Sequence, residues 1–432
     1  MADDSGRPST EVLIHDSDDT DKELSKKYNL GEEKKTPMDK TKIIIIIALI
    51  CVIVLGGICL TLYLILKEDN SSDEEKKEEP FAPYNPIPEN EDLYFTEEAH
   101  RLLSREIATQ TMVLATNNGE LPLVETDLVV LFGSGTENTI YGGWGSGEVY
   151  NKGTSESLTP IKILEGILNK ASEKKFLYTP NTYGYEIGIE GSNLTEAIVE
   201  QLSQKTGEAK RSVAVLTISR RSGEGSDRPR DQSSTGTLLS DSEINTYNAL
   251  IKYFDKVVLV LNVGSVIELQ GLQKNNKTSI LIAYLPGMEA GNAIADVLVG
   301  DVNPSGHLTD TWAEKIDDYP TTKTFLEDKQ FVKYKEGLFV GYRYFEEDSN
   351  TQAKVVFPFG HGLSYTTFST KSSCKFIEDK NIFEITSEVK NTGNKPGKQV
   401  VQVYVKKQPN DKFVKVQREL VAFAKTKELK PN

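Results

Sequence analysis

A chain of 432 residues with 64 acidic against 50 basic side chains carries a formal net charge of −14. That balance argues against a nucleic-acid partner, because neutralising phosphates takes clustered Lys and Arg. Three cysteines exclude a disulfide framework and a cysteine zinc site, since Cys51 and Cys59 fall within an apolar run and leave only Cys374 to a folded domain. Four histidines (His15, His100, His307, His361) are too few and too scattered for a metal site. The length allows roughly two or three domains at about 100–200 residues each.

Residues 1–42 are rich in Asp, Glu, Lys and Ser, which predicts a disordered cytoplasmic tail. Residues 43–66 contain no charged side chain and open with five isoleucines. At about 1.5 Å per residue they extend about 36 Å, enough to cross a hydrocarbon core of about 30 Å. The polar stretch ahead of them distinguishes an uncleaved transmembrane signal-anchor from a signal peptide. Lys26, Lys27, Lys34, Lys35, Lys40 and Lys42 precede the span, whereas Lys67, Lys76 and Lys77 follow it. This bias favours a cytoplasmic N-terminus and a lumenal or extracellular ectodomain. Sequons at Asn70, Asn193 and Asn276 agree with that orientation and with a glycoprotein. Residues 67–92 read as a linker, acidic at first and then punctuated by Pro80, Pro83, Pro86 and Pro88.

The pattern changes at Leu93. Glu97 to Asn117 has helical spacing, with Leu102, Leu103, Ile107, Ala108 and Met112 on one side. Leu128–Phe132, Val213–Ile218, Val257–Val263 and Ile280–Tyr284 are short, β-branched and apolar on both faces, as buried strands are. Helical stretches near 160–172, 194–205, 242–254 and 288–299 separate them. Ser240 with Glu243 predicts a capping box, and Gly300 a helix end. Strands alternating with helices predict an α/β domain over 93–368, with a mainly parallel sheet covered on both faces. From 369 to 432 the language is antiparallel: Phe383, Ile385, Ser387 and Val389 alternate with polar residues, as do Val401, Val403 and Val405, around a turn-rich run at 391–397. About three strands are expected here against about seven in a complete sandwich of this kind. The last domain therefore reads as incomplete.

Two loops follow the first two strands. One runs Gly133-Ser134-Gly135 and then Tyr141-Gly142-Gly143-Trp144-Gly145-Ser146-Gly147; the other runs Ser222-Gly223-Glu224-Gly225-Ser226-Asp227-Arg228. In α/β sheets ligands sit at such carboxyl ends. The first loop lacks the third glycine of a dinucleotide fingerprint, because Asn138 stands there, and no Gly-rich phosphate loop ending in Lys-Ser or Lys-Thr occurs. Trp144 offers a flat face to a sugar ring. Glu224, set between glycines, is free to approach a glycosidic oxygen as a proton donor. On these residues alone it reads first as an exposed glutamate in a charged loop.

In this order these stretches resemble glycoside hydrolase family 3, the β-glucosidase family. The resemblance covers about residues 95–430. It rests on Asn118-Gly119-Glu120-Leu121-Pro122-Leu123, the two loops above, Leu261-Asn262-Val263-Gly264, Asn303-Pro304-Ser305-Gly306-His307-Leu308-Thr309, Phe339-Val340-Gly341-Tyr342-Arg343-Tyr344-Phe345, and above all Phe357-Pro358-Phe359-Gly360-His361-Gly362-Leu363-Ser364-Tyr365. It implies a six-stranded α/β sandwich followed by a fibronectin-III-like domain, and a retaining hydrolase acting on a β-linked glucoside or oligosaccharide without cofactor or metal. By the match, Glu224 is the acid/base residue and Trp144 and Ser146 line the mouth of the sugar site. Asp227 and Arg228 either contact sugar or order the loop. The family's nucleophile is an aspartate on a separate (β/α)8 barrel, and such a barrel takes about 250 residues. None precedes the α/β domain, so the chain resembles the front of a domain-permuted member, with the barrel downstream in cis or supplied in trans. A catalytically inactive carbohydrate-binding ectodomain and an adhesion protein are the competing classes.

Overall fold

The computed structural model describes residues 97–148, 159–174, 177–178, 195–205, 209–322, 324, 330–406 and 415–431. The chain divides into two units, Met1–Asn85 and Pro86–Asn432, and every described residue belongs to the second. The expected tail, membrane span and linker lie outside the described residues, as does the sequon at Asn193. No described helix is long and apolar enough to cross a membrane.

Helix α1 (Glu97–Thr111) ends earlier than its spacing predicted, and strand β1 (Val113–Thr116) follows at once. The reason is burial on both sides: Met112, Val113 and Leu114 have no exposed surface. Val113 and Ala115 face one hydrophobic cluster and Leu114 the other. Only an extended strand presents consecutive residues to opposite faces. The helix itself buries Ala108, whereas Leu102, Leu103 and Ile107 of the expected apolar face are exposed. Asn117 then closes the turn, accepting from the backbone of Gly119 and Leu121 and donating to Leu121.

The remaining elements of the α/β region are β2 (Asp127–Phe132), α2 (Ile163–Lys174), β3 (Leu177–Tyr178), α3 (Glu196–Ser203), β4 (Arg211–Arg220), α4 (Asp241–Tyr253), β5 (Lys256–Val263), β6 (Thr278–Ile282) and α5 (Ala290–Val299). Six strands form one sheet in the order β1-β6-β5-β4-β2-β3. All neighbours run parallel except β1, which pairs antiparallel with β6. Strand β5 shows why the sheet is buried on both faces. Val257, Leu259, Leu261 and Val263 enter the cluster that includes Val199, Tyr247 and Leu250 of α3 and α4. Val258 and Val260 enter the cluster with Ile163, Ile167, Ala293 and Ile294 of α2 and α5. Helix α4 starts on the expected capping box, Ser240 with Glu243, and α5 stops at Gly300 in the left-handed region. The last core strand ends before its expected limit: Tyr284 leaves the sheet with φ near 54°.

Beyond the sheet, β7 (Trp312–Ala313) pairs with β8 (Val355–Phe357). The C-terminal part holds four strands rather than about three. They form two antiparallel pairs, β9 (Phe368–Ile377) with β10 (Ile382–Asn391) and β11 (Val400–Lys406) with β12 (Arg418–Lys425). Phe376 stands opposite Phe383, and Cys374 opposite Ile385, so one face of that hairpin is apolar; Phe376, Phe383 and Ile385 are exposed. Phe423 on β12 is 74% exposed. Asn276 is exposed.

Candidate functional site

The parallel strands β2, β4 and β5 deliver their carboxyl ends to one edge of the sheet, and both Gly-bearing loops leave from that edge. Gly133 and Gly135 are there for the neighbouring strand, not for a phosphate. A Cβ on Gly133 would lie 2.1 Å from the Thr217 carbonyl oxygen, and one on Gly135 2.0 Å from Ser219 Oγ.

The two loops fasten to each other by backbone. Trp144 N donates to Ser222 O at 3.2 Å and Glu224 N donates to Trp144 O at 3.4 Å, a parallel bridge between Trp144 and Gly223. The indole lies across this seam. Its Nε1 donates to Glu224 O at 3.3 Å, and its five-membered ring occupies the space a Gly223 side chain would need. The Arg221 guanidinium sits 5.2 Å from the ring centre and pairs with Glu148 at 3.6 Å. The surface expected to meet a sugar ring is thus partly covered by Arg221, and the ring's main contacts are with the loop that carries Glu224.

Glu224 is exposed. Ser146 N donates to its Oε2 at 2.9 Å. The Ser146 side chain and then this backbone donor hold the carboxyl below the usual glutamate range. Ser146 therefore stands beside Glu224, and the described contacts of the carboxylate stabilise its ionised form. Asp227 is exposed. Arg228 turns inward: it donates to the carbonyls of Thr235, Gly236 and Val266 and to Ser265 Oγ. Burial, and secondarily the charge of Arg220, lowers its pKa to about 10. Those bonds order the loop from within.

Two residues that hold this edge together, Asn262 and Arg220, were not singled out individually by the sequence. Asn262, fully buried near the end of β5, accepts from Ile140 N at 2.7 Å and Ser219 Oγ at 3.2 Å, and donates to Ile140 O and Tyr284 O, both at 2.8 Å. It ties the approaches to both loops to β5 and β6. A polar residue inside an otherwise apolar strand is the signal that points to it. Arg220, at the last position of β4, makes a two-point ion pair with Glu243 at 2.6 and 2.7 Å and also donates to the Gly236 and Leu238 carbonyls. The capping glutamate of α4 thereby braces the base of the Glu224 loop.

Residues 112–365 match the family model of the glycosyl hydrolase family 3 C-terminal domain. The chain is 33% identical over 392 residues to beta-glucosidase A of Butyrivibrio fibrisolvens, covering 81% of this chain and 47% of that protein. It is 35% identical over 333 residues to a beta-glucosidase of Ruminococcus albus, covering 76% and 34%. Among solved structures it is similar to beta-glucosidase 3B from Thermotoga neapolitana in complex with glucose, with 33% identity, a TM-score of 0.68, and coverage of 77% of this chain and 47% of that one. The chain thus spans about half or less of the length of these relatives. The matched segment takes in the parallel sheet, both loops and Glu224, and the chain belongs to glycoside hydrolase family 3.

Proposed function

We propose that this chain supplies the acid/base half of a retaining, β-glucosidase-like site that hydrolyses the O-glycosidic bond of a β-linked glucoside or oligosaccharide. The observation that carries this reading is the placement of Glu224: an exposed carboxylate on a loop clamped to the Gly-rich loop, at the carboxyl edge of a parallel sheet. In the first step an aspartate nucleophile attacks the anomeric carbon while Glu224 gives its proton to the departing oxygen. In the second step Glu224 takes a proton from water as that water displaces the nucleophile. The nucleophile comes from a (β/α)8 barrel, downstream in cis or in trans. Trp144 and Arg228 act by shaping the loop, and Ser146 by orienting the carboxylate. The two C-terminal hairpins are read as part of a fibronectin-III-like domain, and residues 43–66 as a membrane anchor that holds the ectodomain on the lumenal or extracellular side.

The test is turnover of activated and unactivated β-glucosides by the chain supplied with its barrel, wild type against Glu224→Gln. General-acid catalysis contributes about 10²–10⁴-fold. The variant should lose activity in that range on poor leaving groups. It should form the glycosyl-enzyme more readily from an activated glucoside, and azide, which needs no base, should rescue breakdown of that intermediate. Equal turnover in both proteins would refute the assignment. Robust activity from residues 67–432 alone would refute the split site.

A further inference from the structure

On the sequence stretches 304–307 and 362–368, away from the Glu224 loop, a cavity of about 340 Å³ opens between the α/β region and the start of β11. Its wall includes His307, Lys398, Ser305, Ser364, Thr367 and Gln399, and among the described residues no carboxylate lines it. Lys425 lies close behind, donating to Gln110 O at 2.9 Å. Burial, reinforced by the charge of Lys398, pushes the Lys425 amine down to about 8. Burial, and after it the charges of Lys425 and His361, pulls His307 below its usual range, although His307 Nδ1 meets Ser305 O at 3.2 Å. Among the described residues, none of His307, Lys398 and Lys425 pairs with a carboxylate.

Holding Lys398, Lys425 and a protonated His307 together at a partly buried place costs free energy unless an anion joins them, so His307 takes up its proton as the anion binds. We propose that this cavity is a binding site for a phosphate-class oxyanion, held by Lys398 and His307 with Lys425 behind them. A dianion answers more than one positive charge, where a single carboxylate answers one. Ser364 Oγ already donates to Asn303 Oδ1 at 2.8 Å and Thr367 Oγ1 pairs with Thr392 Oγ1 at 2.9 Å, so the cationic groups rather than these hydroxyls hold the anion. The volume lies at the small end of ligand cavities and admits inorganic phosphate or a compact phosphate monoester.

The experiment is titration of the full chain with inorganic phosphate, followed by thermal stability at constant ionic strength maintained with chloride. Glucose 6-phosphate and acetate serve as parallel arms, and Lys398→Ala and His307→Gln as variants. Wild type should be stabilised saturably by phosphate and little by acetate, and each variant should bind phosphate about tenfold or more weakly, the loss of one charge-assisted hydrogen bond. Preference for glucose 6-phosphate over inorganic phosphate would mark the site as one for esters, and the reverse order as one for the free ion. Each variant's melting temperature without phosphate shows whether it folds, and the other single variant carries the test should one fail. Absence of saturable stabilisation, equal effects of acetate and phosphate, or undiminished binding by both folded variants would overturn the proposal. None of these outcomes depends on glycosidase activity.

Discussion

Substituting Gly223 by alanine tests how the Glu224 loop is held. The added Cβ would lie 1.9 Å from Trp144 Cδ1 and 2.2 Å from Cγ, against 3.4 Å or more for ordinary contact. The ring must retreat by about 1.5 Å, beyond what small side-chain adjustments absorb. The backbone cannot retreat in its place, because Trp144 and Gly223 are bridged on both sides. When the indole swings away it gives up its bond to Glu224 O and its contact with Arg221. At about 1 kcal/mol for the hydrogen bond and 0.5–1 kcal/mol for an exposed cation–π contact, the loss is roughly 2 kcal/mol. Fluorescence reads it directly. The protein has two tryptophans, and Trp312 is 1% exposed, so an aqueous quencher reports on Trp144. Gly223→Ala should raise quenching and lower stability by about that amount. In a Trp144→Ala background the same change should cost under about 0.5 kcal/mol, because no ring remains to displace. An unchanged spectrum and denaturation midpoint, or equal costs in both backgrounds, would refute the loop-clamp reasoning.

Replacing Asn262 by alanine removes four hydrogen bonds from a buried site; at about 1 kcal/mol each the loss approaches 4 kcal/mol. Urea denaturation measures it, and a loss below about 1 kcal/mol would show that the loops do not depend on this residue. Lys425 gives a pH signature in phosphate-free buffer. Its folded pKa of about 8 lies below an unfolded value of about 10.4, so the unfolded chain holds the extra proton between them and stability rises with pH across that window. Lys398 and His307 are the other basic groups of that cluster. Stability relative to wild type should therefore fall for Lys425→Met as pH climbs from 8 to about 10.4, and a difference constant across that range would contradict the assignment.

The central sheet was legible because β-branched runs apolar on both faces admit few other readings, and the Ser240–Glu243 cap was legible because it is local. The passage from α1 to β1 was not, since Met112 continues a helical spacing that begins at Leu102, and spacing alone cannot reveal that Val113 and Leu114 face opposite cores. Nor does periodicity tell what an apolar helix face meets; Leu102, Leu103 and Ile107 meet solvent in the described fold. At the site, Glu224 and Ser146 stood out by their glycine neighbours and by resemblance. The role of Trp144 did not, because it depends on a loop about eighty positions away pressing Gly223 against the indole. For Arg228 the sequence left open whether it contacts sugar or orders the loop; its guanidinium is spent on carbonyls that only the folded loop brings together.

On the proposed reading, the electrostatics of Glu224 bear on why the acid/base half alone would be inert. A general acid must hold its proton near neutral pH, and catalytic glutamates achieve this by burial or by a nearby carboxylate. Here neither acts: the side chain is exposed, and Ser146 donates to the ionised form and lowers the pKa. Seating a nucleophile-bearing domain over this edge would change both terms together. It would remove water from the carboxyl group, and it would bring a second carboxylate to about 5–5.5 Å, the separation of a retaining pair. Both effects raise the pKa of Glu224. The Ser146 donors then become a counterweight, fixing the carboxyl group's direction while the partner sets its proton affinity. Titration of labelled glutamate by NMR separates the terms: the Glu224 pKa should lie below the ordinary glutamate value in this chain alone and rise when the barrel is added. A value that stays low in the complete enzyme, with activity intact, would mean that another group donates the proton.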